Sequence, residues 1–194
     1  MTKNKSAHQK DDGYASEFLI PFFIITAVFA ILLLPLIFHQ SYTLPQENSE
    51  YATFTSERIG QTDVPIVWGT DASDKSALRK VFQFTDSKPF NISGSHWVFA
   101  YNSGVFKGLD TLLTGDTIEI TSDGIKSTYK VVSSTVGTVT ENYSNILDNQ
   151  GNNLLNLYDS KDTLYMYTNY PLDSQEETQK KLVIKAELVK QKNI

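Results

Sequence analysis

Residues Phe18 to Phe38 read FLIPFFIITAVFAILLLPLIF, an apolar run without one charged side chain. A helix rises about 1.5 Å per residue, so a run of this length just crosses a hydrocarbon core. Pro21 and Pro35 lie near its two ends, where a helix in lipid tolerates them best. A cleaved signal peptide has a shorter apolar stretch closed by a small-residue cleavage site, and FHQSYTLPQ offers none. The run therefore predicts a retained transmembrane helix. Lys3, Lys5 and Lys10 precede it, whereas the first basic residues after it are Arg58 and Lys75. Acidic residues contribute little to orientation, so Asp11, Asp12 and Glu17 leave that bias intact. The chain divides into a cytoplasmic tail (1–17), the anchor (18–38), a polar linker (39–52) and an extracytoplasmic domain (53–194), a single-pass cell-membrane protein.

The tail holds equal numbers of acidic and basic residues, so the formal net charge of −5 resides in the exported part. A nucleic-acid partner needs a basic surface to replace counterions, and this balance argues against one. The chain contains no cysteine. An exported domain of about 140 residues must then stand on its apolar core without disulfides. Thiol chemistry is excluded with the same observation.

Beyond the linker, short β-runs alternate with turn signals. Pro65-Ile66-Val67-Trp68 closes at Gly69, and Asp71 with Asp74 can cap a brief helix through Ala77 and Leu78. Trp97 to Ala100 reads as a core strand. Asp116 to Ile120 alternates, Ser122-Asp123-Gly124 turns, and Ser127 to Val132 returns, the clearest hairpin in the chain. A further run covers Thr135 to Thr140, Asn142 to Asn153 reads as a loop, and Leu164 to Thr168 and Leu182 to Val189 are the last strands. Asp173 to Lys181 is a charged solvent loop. Many short strands with few helices predict a mainly β domain, a closed barrel or a sandwich.

These segments resemble the sortase family, the membrane-anchored cysteine transpeptidases of mainly Gram-positive bacteria. VPIVWGTD (Val64 to Asp71) is similar to the family's P-I-V-x-G-T-D element, and GVFKGLDTLLTGDTIEI (Gly104 to Ile120) to its F-x-x-L-x-x-L-x-x-G-D-x-I element. TYKVVSS (Thr128 to Ser134) resembles the next strand. LYMYTNYP (Leu164 to Pro171) is similar to L-T-L-x-T-C-Y-P, and KLVIKAEL (Lys181 to Leu188) to R-L-x-V-x-A-x-L. The resemblance covers about residues 57 to 190 and implies a sortase-like closed β-barrel with short helices behind one transmembrane helix. It also implies sorting-signal peptides, pilins or an active sortase as partners.

The family's activity rests on a cysteine nucleophile, a histidine that handles the proton, and an arginine that stabilises the oxyanion. By the resemblance, the cysteine position falls on Asn169. The arginine position falls on Lys181, or on Lys180 if the charged loop shifts by one. The histidine position falls on Asn102 after Val98-Phe99-Ala100-Tyr101, with His96 as the nearby rival. Lysine keeps the charge of arginine but loses its planar fork. Loss of all three groups implies a catalytically inactive domain kept for binding or structure.

The alternative is an enzyme of the same fold using Thr168, Ser103 or Ser95 as nucleophile, which would need His96 within hydrogen-bond reach. A self-formed isopeptide bond between Lys181 and Asn169 would need a buried acid beside them. Tyr165, Tyr167 and Tyr170 could form a ligand platform, although strand propensity accounts for tyrosine there. Asp71 with Asp74, and Glu176 with Glu177, lack the spacing of a calcium loop, so no metal or cofactor is expected.

Overall fold

The computed structural model describes residues 44–69, 75–140, 145–156, 162–172 and 178–194. The expected tail and anchor, the first part of the linker, the Asp71–Asp74 cap and the Glu176–Glu177 pair lie outside the described residues. Among the described residues no helix is long and apolar enough to cross a membrane.

The described residues form nine strands in chain order: β1 Glu50–Ser56, β2 Gln61–Trp68, β3 Val81–Gln83, β4 Ser95–Phe99, β5 Thr117–Ser122, β6 Ile125–Val139, β7 Ile146–Leu147, β8 Thr163–Asn169 and β9 Lys180–Asn193. The hydrogen-bonded order is β5-β1-β2-β3-β4-β8-β9-β6, and β6 pairs back onto β5. Eight strands thus close into a barrel, with the two-residue β7 attached to the end of β6. Closure removes the long open edges that an exposed sheet would present. The barrel, of the two architectures that the strand pattern allowed, is the one adopted. β2–β3 and β4–β8 are parallel, and the other pairings are antiparallel.

The pleat decides what each strand turns inward. Leu164 and Met166 of β8 and Leu182, Ile184 and Ala186 of β9 join the main core with Phe54, Ile66, Val98, Ile118 and Ile120. Their odd-numbered neighbours Tyr165 and Val183 belong to a second cluster on the outer face, under Ile146 and Leu155. The segment after β4 folds into the barrel through Val105, Phe106, Leu109 and Leu112. It passes so close to the 3-10 turn Lys75–Arg79 that a Cβ at Gly104 would collide with the Leu78 carbonyl, and only glycine fits there.

The β5–β6 hairpin forms where the alternation and the Asp-Gly pair place it. Ser122 pairs with Ile125, and Asp123 and Gly124 have φ of 50° and 73°. Two left-handed residues give the turn whose twist matches the flanking strands. β1 begins at Glu50, inside the stretch read as linker, and the two β-runs after the turn are one strand of 15 residues.

Candidate functional site

β8 and β9 run antiparallel with Asn169 directly opposite Lys181. By parity both side chains stand on the outer face of the barrel wall, the face of Tyr165 and Val183. Both are nonetheless buried, at 3% and 5% exposure. The Lys181 ammonium donates to the Asn169 Oδ1 at 2.5 Å and lies 5.9 Å from the centre of the Phe99 ring. Lys180, the alternative to Lys181, points to solvent, while its carbonyl accepts from the Tyr170 amide and the Thr178 hydroxyl.

Asn102 reaches the same place from the loop after β4. Its Nδ2 donates to the main-chain carbonyls of Asn169 at 3.3 Å and Pro171 at 3.2 Å. The structure thus brings Asn102, Asn169 and Lys181 into one buried cluster, with Tyr170 at its rim. Asn102 acts on backbone, not on the Asn169 amide group. The Pro171 carbonyl and the Phe99 ring are participants that sequence reasoning did not single out. Strand parity could have identified Phe99, since it pairs with Tyr167, two residues before Asn169.

His96 lies elsewhere. It pairs in register with Leu164 of β8, and its ring therefore enters the barrel interior, on the opposite side of the wall from Asn169. It is 1% exposed, packs on Phe90 and Tyr129, and donates from Nδ1 to the Lys88 carbonyl at 2.7 Å. Burial holds its pKa below the ordinary imidazole value, against the opposing effects of the Lys88 hydrogen bond and the Asp162 charge.

The hydroxyls considered as nucleophiles have other partners or positions. Thr168 donates to the Ala100 carbonyl at 2.7 Å inside the barrel, Ser95 donates to the Asn156 carbonyl, and Ser103 is exposed. Among the described residues no serine or threonine hydroxyl bonds to His96, so the base–hydroxyl pair that such chemistry needs is not formed.

Tyr165 is buried in the second cluster, and Tyr167 stacks on Phe84 and meets Phe99 at a tilt of 51°, each at 5.6 Å. Along the same face a groove of about 240 Å³ is lined by Ser133, Thr135, Tyr165, Val183 and Lys185, together with the loop around Leu154. Among the described residues no three acidic or histidine side chains converge as a metal site requires.

A family model for the sortase domain matches residues 56–189. No curated protein sequence matches the chain. Solved structures with the same architecture include sortase A of Listeria monocytogenes, at 16% identity and a TM-score of 0.56, covering 75% of this chain and 90% of that one. The SrtA sortase of Actinomyces oris gives 12% identity and a TM-score of 0.60, covering 78% and 86%. A lid mutant of sortase A from Corynebacterium diphtheriae gives 20% identity and a TM-score of 0.58, covering 75% and 73%.

Proposed function

The chain belongs to the sortase family, and from that premise we propose that it is a non-catalytic member, anchored in the membrane to bind surface-protein peptides or assist their assembly. The observation that carries this reading is the absence of any cysteine. The buried cluster of Asn102, Asn169 and Lys181 supports it, taken as the occupant of the family's histidine, cysteine and arginine positions. An amide offers no counterpart to a thiolate, and the carboxamide of Asn102 cannot exchange protons near neutral pH. Lysine keeps a positive charge there without the two-pronged donor geometry of arginine.

The partners follow from the family and the anchor. The apolar run at residues 18–38 and the lysines before it support a single-pass topology with the domain outside the cytoplasm. In that place the domain meets sorting-signal peptides, pilins or an active sortase. The groove beside Tyr165 and Lys185 supports the peptide version, because it shares a face of β8 and β9 with the cluster.

The full chain in detergent, offered a sorting-signal peptide and an amine acceptor, is expected to bind the peptide without cleaving it. Turnover that survives removal of contaminating sortases would overturn the non-catalytic reading. Absence of binding at about millimolar peptide, a free energy of only about −4 kcal/mol, would remove the peptide version.

A further inference from the structure

Residues 84–94 connect β3 to β4 and pack Phe90 against the main core. Main-chain bonds run from Phe84 to the Trp97 carbonyl, from Lys88 to the Ser95 carbonyl and from Thr163 to the Gly94 carbonyl, and side chains add two further anchors. The Lys88 carbonyl accepts from the Gln83 Nε2 at 2.6 Å and from the His96 Nδ1 at 2.7 Å. The Asp162 carboxylate accepts from the Gly94 amide at 2.6 Å and from the Ser93 hydroxyl. Between the anchors, Phe90 packs on the main core, its ring 4.7 Å from that of His96 and 6.2 Å from that of Tyr51. One imidazole therefore holds the strap by its hydrogen bond and supports its plug by ring contact.

We propose that this segment is an acid-released strap, opening at the Phe90 end when the His96 imidazole buried beneath that ring takes up a proton. The Nδ1 hydrogen is already committed to the Lys88 carbonyl, so the added proton from solvent goes to Nε2. The surroundings of that nitrogen are poor hosts for a cation. Tyr129 of β6 faces the ring and Tyr51 of β1 packs on Phe90, and burial holds both phenols protonated far above their ordinary range. Asp162 is the carboxylate whose charge favours the imidazolium, and it is engaged by Ser93 and Gly94 of the same strap. Lys88 meets the imidazole through its main-chain carbonyl. Lifting Phe90 admits water to the ring and frees the protonated form from the interior.

The pH response follows from a depressed closed-state pKa. Above about pH 6.5 both closed and open forms hold neutral imidazole, and opening does not depend on pH. Below that value only the open form accepts the proton, so opening rises by up to about tenfold per pH unit until the lower closed-state pKa is reached. Stability of the closed strap is thus present at neutral pH and lost on acidification.

Hydrogen exchange on the full-length protein at about pH 7.5 and about pH 5, each corrected for intrinsic rates, tests this. Strap amides are expected to lose protection at the lower pH by a factor of ten or more, while β8 and β9 keep theirs. His96→Gln preserves an N–H for the Lys88 carbonyl without a titrating group, and is expected to abolish the acid response. Should that variant not fold, Phe90→Ala removes the plug and is expected to raise strap exchange already at neutral pH. An acid response that persists in His96→Gln, or strap protection in the wild type that is equal at both pH values, overturns the proposal.

Discussion

A lysine at 5% exposure needs a reason to be there, and Asn169 supplies part of it. Burying an ammonium costs several kcal/mol unless hydrogen bonds replace its water, and the Asn169 Oδ1 at 2.5 Å is one such replacement. Asn169→Ala removes that acceptor and is expected to destabilise the domain by about 1–3 kcal/mol in chemical denaturation. Adding Lys181→Met to it removes the desolvated charge as well, so the double variant should recover part of the loss. A double variant less stable than Asn169→Ala would show that the lysine contributes through other contacts. Both residues, and Asn102, were legible as a cluster because the family motifs carry their spacing. The contact of Asn102 with main-chain carbonyls was not, because no pattern of side chains encodes where a loop's backbone turns.

The β5–β6 hairpin shows how far local chemistry reaches. Alternation in TIEITS and the Asp-Gly pair determine both strands and the turn type. Gly124 at φ 73° has open space around a hypothetical Cβ, so Gly124→Ala meets only backbone strain. A loss of about 1 kcal/mol in thermal or denaturant unfolding is expected, with the register retained. Beyond the turn the pattern was harder to read. β6 continues to Val139, but a register shift against β9 between Val131 and Ser133 interrupts the inward–outward alternation. That irregularity is why one strand looked like two. β1 carries a weak strand signal for another reason. Its inward residues Ala52, Phe54 and Ser56 do alternate, yet only one of them is large and apolar. β3 is three residues long, too short to show any period.

For the whole molecule, closure of the barrel sets both stability and which side chains share a face of the wall. Met166 sits at 0% exposure in the common core of β4, β8 and β9, so Met166→Ala is expected to cost about 2–5 kcal/mol and lower the melting temperature cooperatively. A cost below 1 kcal/mol would mean that the core is not continuous there. The pairing of β4 with β8 also separates the two candidates for the histidine position. Register sends His96 inward with Leu164, whereas Asn102, past the strand end, reaches the outer cluster. The sequence by itself determined the absence of thiol chemistry, the mainly β character, the hairpin and the apolar run expected to be the anchor, since composition and local periodicity carry each of these. Only the tertiary structure decided that the strands close on themselves, that Lys181 and not Lys180 enters the cluster, and that His96 faces the interior. Those outcomes depend on which strand lies beside which and in what register, and partners far apart in the chain settle that jointly.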